Sequence, residues 1–203
     1  GHEAYVERAE QRFDAATLVD LQLTTFDGAV EVRAWDRPEV LVTIEKRGQT
    51  KEAVAEITVV ADRKANRIQV EARHAGSRGV FVGLGTFTST SARLIANVPR
   101  KTNLVVRTGD GAVLVERVEG KIELRTEDGT VKVRETAGDL LVDTGDGAIV
   151  LEDVSGTVEA RTGDGSLRIT GTPAVLRARS GDGSIILRVG AGAVMSDKWT
   201  LST

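Results

Sequence analysis

The chain has 203 residues, with 27 Lys and Arg against 30 Asp and Glu, a net charge of −3, and no cysteine. Charges of both signs are interspersed, which gives no electrostatic case for nucleic acid or anionic lipid. The missing thiol removes disulfides, thiolate metal sites and thiol catalysis. Apolar residues make up 40% but aromatics only 3%, so a core must be built from Val, Ile, Leu and Ala, and no apolar run approaches the roughly 20 residues that span a bilayer.

The start, Gly1-His2-Glu3, lacks Met and reads as an expression scar, so a targeting segment is expected to have been removed before it. A first strand is expected over residues 17–23. Thr25-Phe26-Asp27-Gly28 then reads as a turn, and Ala29-Val30-Glu31-Val32 as the strand that follows. Further strands are expected over 40–46, 57–61, 67–73 and 92–98, with a single helical turn at Lys51–Ala55. Residues 75–91 break this pattern and carry Val80, Phe81, Val82, Leu84 and Phe87 among Gly, Ser and Thr. They read first as a hairpin or a flap over an open end. The alternative is a protruding contact loop, since loops on rigid scaffolds often carry binding. Gly83-Leu84-Gly85 has no following Lys-Ser/Thr and no helix, so it is not a phosphate loop.

From Thr108 onward a repeat governs the chain. A small-residue turn recurs at Thr108, Thr126, Thr144, Thr162 and Ser180, in phase with Asp110, Asp128, Asp146, Asp164 and Asp182 and with a Gly after each Asp. Gly120, Gly138 and Gly156 fall midway, with Ala174 in the fourth place. After each of these positions apolar residues alternate with polar ones, as in Val131/Val133, Leu140/Val142 and Ile149/Leu151, which is the signature of a half-buried strand. The unit is a turn plus a short strand, and Asp occupies alternate turns only. An antiparallel meander would make every turn equivalent. A parallel coil of two strands would put one kind of turn on each edge, so the expected fold is an all-β parallel solenoid with 18-residue coils. Parallel crossovers strongly prefer the right hand, which is the hand expected. Residues 1–203 are expected to be one domain, with looser coils over 3–98 and regular ones over 99–203. Two outward ladders, Glu116-Arg134-Glu152 and Arg125-Asp143-Arg161, alternate in sign along the stack and favour its register.

These residues resemble a bacterial family of adhesin-like proteins, a β-solenoid domain of unknown function related to the head-GIN and toast-rack domains. The resemblance rests on Asp27-Gly28-Ala29-Val30-Glu31-Val32, on Ala34-Trp35-Asp36-Arg37-Pro38-Glu39-Val40, on Asn97-Val98-Pro99 and on the tandem Gly-Asp-Gly coils, over residues 17–203. It implies an exported or membrane-associated protein located in the periplasm, the outer membrane or the cell surface. It supplies no catalytic residue.

Three readings compete for the Asp ladder. The calcium β-roll of secreted toxins repeats Asp in every nine-residue unit, two residues after a glycine. Here the corresponding positions are Val113, Val131 and Ile149, and one carboxylate per coil edge falls short of the six to eight oxygens calcium takes. A carbohydrate-active β-helix enzyme would need one distinct carboxylate pair with separated pKa values, not a repeated array. The preferred reading is turn chemistry: Gly supplies positive φ, and Asp or Thr bonds a backbone N–H. No cofactor and no metal are expected. His74 sits at the edge of the 75–91 stretch without a clear role. The outward column Leu114, Lys132, Val150, Arg168, Ile186 reads as scattered surface residues, and Trp35 and Trp199 as plugs at the ends of the core. Residues 199–203 align with the strand ending at Ser180, so a further coil is expected past Thr203, or a partner over the open end such as a second copy stacked end to end. The function expected is a non-enzymatic scaffold that binds a macromolecule or an envelope component.

Overall fold

A computed structural model describes residues 3–75, 90–189 and 200–203. Among these residues it is all-β: sixteen strands form one continuous sheet, with one short helix, α1 (Lys51–Ala55). The strands of the N-terminal half are β1 (Tyr5–Asp14), β2 (Asp20–Thr25), β3 (Val30–Trp35), β4 (Glu39–Gly48), β5 (Ile57–Lys64), β6 (Arg67–His74) and β7 (Ser91–Pro99). Those of the repeat are β8 (Asn103–Thr108), β9 (Val113–Glu116), β10 (Ile122–Thr126), β11 (Val131–Arg134), β12 (Asp139–Thr144), β13 (Ile149–Thr162), β14 (Leu167–Ser180), β15 (Ile185–Val189) and β16 (Thr200–Ser202).

The strands fall into two rows. In the first, β6, β2, β8, β10, β12 and the C-terminal halves of β13 and β14 run parallel. In the second, β7, β3, β9, β11, the N-terminal halves of β13 and β14, and β15 do the same. Val131 pairs with Ile149, and Ile122 with Leu104 and Leu140, each a step of eighteen residues. β13 and β14 run unbroken through the corner and join the two rows, with register shifts between Leu151 and Val154 and between Gly156 and Thr157. β16 continues the first row, with Arg177 opposite Thr200 and Arg179 opposite Ser202, the alignment expected with the strand ending at Ser180.

Alternation decides what each row buries. Residues such as Leu104, Val106, Leu124, Val142, Ile149 and Leu151 point inward and are essentially inaccessible, and one core of Val, Leu, Ile and Ala runs the length of the stack. Burying each such side chain contributes about 1.5–3 kcal/mol.

Spatial order departs from chain order in the N-terminal half. β2 and β3 lie between the β6–β7 layer and the β8–β9 layer. Beyond that layer the pairing becomes antiparallel: β5 folds back on β6, β4 lies on β7, and β1 lies on β4. The strand expected at 17–23 is Asp20–Thr25, because residues 15–19 serve as a connection tied by the Ala15 N–H to the Pro38 carbonyl at 2.8 Å. The helical turn forms where expected, capped by the Thr50 hydroxyl, which accepts from the Ala53 N–H at 3.1 Å.

Candidate functional site

The corner that joins the rows after β8, β10, β12, β13 and β14 is organised by threonine. Thr108, Thr126, Thr144, Thr162 and Ser180 are buried, and so is Thr25. Each hydroxyl donates to a carbonyl of the preceding layer: Thr162 to Gly147 at 2.8 Å, Ser180 to Gly165 at 2.8 Å and Thr108 to Gly28 at 2.9 Å. The same oxygen accepts from its own turn, from the Gly165 N–H at 3.2 Å and the Gly183 N–H at 2.9 Å. One buried hydroxyl thereby closes its own turn and ties it to the one before.

The glycines of this corner are required for close approach. A Cβ on Gly147 would lie 1.9 Å from the Gly129 carbonyl oxygen, and one on Gly165 would lie 2.0 Å from that of Gly147. Gly111, Gly129, Gly147, Gly165 and Gly183 do not have φ in the left-handed region, which corrects the expectation of positive φ in the repeat, whereas Gly28 in the first such turn takes φ +133°. Within the repeat, positive φ belongs to the opposite corner, at Gly120, Gly138 and Gly156, and at Arg117, Glu135 and Asp153. Asp110, Asp128, Asp146, Asp164 and Asp182 are exposed at the rim of the first corner. Among the described residues no group of three or more His, Asp or Glu is placed to hold a metal ion.

The outer face of the first row carries a groove of about 570 Å³ that crosses several strands. Its floor is the outward column Gln22, Val105, Glu123, Leu141, Glu159, in parallel register. Val105 and Leu141 supply apolar area, and the carboxylates that alternate with them are engaged sideways: Glu123 with Arg125 at 2.7 Å and Glu159 with Arg161 at 3.0 Å. Asn103 links this wall to the next layer, donating to Asp20 at 2.8 Å and accepting from the Lys121 N–H at 3.0 Å. Arg125 also reaches Asp143 at 3.1 Å and Arg134 reaches Glu152 at 3.2 Å, two of the expected cross-coil pairs, whereas Arg161 turns to Glu159 on its own strand.

Two carboxyls near the N-terminal end are shifted. Burial, and then repulsion from Asp110, raise Asp27 above its ordinary 3.8, against the hydrogen bond from the Gly28 N–H. Glu31 pays for burial but is held below its ordinary value by the hydrogen bond and charge of Arg93 and then of Arg33. Asp27 faces a hollow of about 680 Å³ shared with Arg47, Thr50 and Thr90. His74 packs beside Phe26, ring centroids 5.5 Å apart, and lies 3.6 Å from Glu56. Trp35 is not a core plug: its indole N–H donates to the Glu39 carbonyl at 2.7 Å, and Arg37 stacks 5.1 Å from the ring centroid, so it fastens the β3–β4 turn. Leu114 and Val150 are half-buried on the outer face of the second row, with Lys132 between them, Arg168 beyond Val150, and Ile186 43% exposed at the end. Val80, Phe81, Val82, Leu84, Phe87 and Trp199 lie outside the described residues.

Parallel eighteen-residue layers tied by a hydroxyl ladder at one corner make this a repetitive all-β fold. The chain belongs to the Toastrack DUF4097 family, whose model matches residues 18–189. No curated protein matches the chain. Among solved structures it is similar to a putative cell adhesion protein from Clostridium sporogenes, at 11% identity over 92% of this chain and 100% of that one, with a TM-score of 0.49. A putative adhesin from Parabacteroides distasonis matches at 12% identity over 97% of each chain, with a TM-score of 0.37. A putative lipid binding protein from the same species matches at 10% identity over 97% of this chain and 96% of that one, with a TM-score of 0.29. No helix among the described residues is long and apolar enough to cross a membrane.

Proposed function

We propose that the chain is a non-enzymatic, exported scaffold of the bacterial envelope, a two-strand parallel β-solenoid that presents its first-row outer face to a macromolecule or envelope component. The observation that carries this reading is the groove over Gln22, Val105, Glu123, Leu141 and Glu159. It is built on five strands held in register, so its side chains stand at fixed spacing, with apolar area flanked by amide and carboxylate groups. Preorganisation of this kind lowers the ordering cost of binding. Glu31 is engaged by Arg93 and Arg33 and does not line the groove, so it is not one of a carboxylate pair there of the kind the carbohydrate-active reading needs. The Asp rim is exposed, without the oxygen-rich cage that calcium needs. Residues 80–87 are a second candidate contact, and one domain over 1–203 is the unit proposed to be presented.

The test is retention of purified chain on isolated bacterial envelope fractions. Leu141→Arg places a charge in the groove floor at a half-buried outward site and should abolish retention while the melting curve stays near that of the parent. Equal retention by Leu141→Arg would remove the groove from the account. Release of reducing ends from envelope polysaccharide by the purified chain would replace the scaffold with an enzyme.

A further inference from the structure

The first strand, β1, is an edge of the sheet, and nothing in the sequence pattern marks it as a strand. It pairs with β4 at all ten positions, from Tyr5 opposite Gly48 to Asp14 opposite Glu39, without a bulge. Among the described residues its other edge has no strand partner. Most of its residues are exposed on both faces, including Tyr5 at 38% and Val6 at 39%. Exposed edges of this length are ordinarily blunted by Pro, by a bulge, by charged side chains or by a covering element. The sequence of β1, Tyr-Val-Glu-Arg-Ala-Glu-Gln-Arg-Phe-Asp, has no Pro, and its charges, Glu7, Arg8, Glu10, Arg12 and Asp14, are of both signs: they bar an arbitrary strand but not one whose charges match them.

That sequence is complementary to itself in one antiparallel register. With a twofold axis through Ala9, Arg8 lies opposite Glu10 of the second copy, Glu7 opposite Gln11, Val6 opposite Arg12, and Tyr5 opposite Phe13. The two Arg–Glu pairs are of opposite charge, and the two aromatic pairs sit at the ends on the inward face, which Ala9 and Phe13 share. Neighbouring registers lose this. An axis through Arg8 places Arg8 on Arg8. An axis through Glu10 places Glu10 on Glu10 and Arg8 on Arg12. An axis between two residues would set inward side chains opposite outward ones. Isologous pairing of this kind is the ordinary geometry of a twofold dimer.

We propose that β1 is a homodimerisation strand: two copies of this chain pair antiparallel through their β1 edges, centred on Ala9, to make one sheet across the dyad. This surface is separate from the groove of the first row and does not rest on the binding function proposed there.

The experiment is sedimentation equilibrium of the whole chain over a wide concentration range, with charge variants. Arg8→Glu sets two carboxylates against each other at two places in the dimer, and Glu10→Arg sets two guanidinium groups against each other there. Each should weaken association roughly tenfold or more, because like charges directly opposite are destabilising. Mixed together, the two variants should recover a heterodimer. The introduced carboxylate of one then faces the introduced guanidinium of the other, and the native Glu10 of the first faces the native Arg8 of the second. Circular dichroism of each variant confirms that the fold is kept. The chain has no cysteine, so Ala9→Cys should form a disulfide across the axis on mild oxidation, at the Cα separation a disulfide accepts. Glu7→Cys should not, because its two copies would lie roughly 14 Å apart along the strands. A wild-type monomer at millimolar concentration overturns the proposal. So does unchanged association in the charge variants, failure of the mixture to recover, or equal cross-linking at positions 7 and 9.

Discussion

The corner hydroxyl ladder predicts that threonine, not aspartate, holds the coils together. In Thr162→Val the side-chain volume is nearly conserved, so packing changes little. The substitution removes the donor to the Gly147 carbonyl at 2.8 Å and the acceptor for the Gly165 N–H at 3.2 Å. Each shielded backbone group left unsatisfied costs about 1–3 kcal/mol, so the pair should cost at most about 2–6 kcal/mol, with the low end favoured because both groups are only part-buried. For a chain of this size each kcal/mol moves the melting temperature by about 2–4 °C, which gives a fall of roughly 4–24 °C. Thr162→Ser keeps the hydroxyl, as the native Ser180 does, and should lose much less. Asp164→Ala removes an exposed side chain from the same turn and should stay within about 0.5 kcal/mol of the parent. Thermal unfolding followed by far-ultraviolet circular dichroism compares all three under one condition. If Asp164→Ala proves more damaging than Thr162→Val, the corner works through its carboxylates and the ladder argument is wrong.

Ile149→Asp should abolish folding and Val150→Asp should be mild, because Ile149 is fully buried and Val150 points outward; similar melts for the two variants would invert the assigned faces. Asp27→Asn should raise the melting temperature at neutral pH. The folded carboxyl lies above its unfolded value, so its ionised form carries a penalty that is fully present above the folded value and vanishes below 3.8. The advantage of the Asn variant should therefore fade as the pH falls through that window, and an advantage that persists well below 3.8 would contradict the assignment. Calcium at millimolar concentration, or a chelator, should leave the melting temperature unchanged, and a steep rise with calcium would restore the toxin-like reading of the Asp ladder.

The repeat is legible in the sequence because equivalence leaves a trace. Val131 and Ile149 are eighteen apart with the same neighbours, and they stack as pattern and phase require. The N-terminal layers are less so. β1 leaves no such trace because its inward positions read Tyr5, Glu7, Ala9, Gln11 and Phe13, and a strand at the end of a stack need not bury an apolar face. The insertion of β2 and β3 between later layers is a matter of long-range pairing that no local pattern encodes. At the corner, the letters Thr-Gly-Asp-Gly identify a turn, but the partner of Thr162 is a carbonyl fifteen residues back and that of Thr108 one eighty residues back, and the crowding at each Gly comes from the preceding coil. Neither is visible within the turn itself. The groove arises from columns such as Gln22, Val105 and Glu123, whose members are far apart in sequence and alike in no chemical property.

The stacking itself is tested most directly by a distance. Lys132, Val150, Arg168 and Ile186 occupy successive rungs of the second row, so spin labels on cysteines introduced at positions 132 and 186 sit three rungs apart. With no native cysteine, the labels go only where they are placed. At about 4.8 Å per rung, pulsed electron–electron resonance on dilute chain should give a backbone separation of roughly 14–15 Å. In an antiparallel meander of nine-residue units the same two positions would be six strands apart, at roughly 29 Å, and that distance would contradict the parallel eighteen-residue coil.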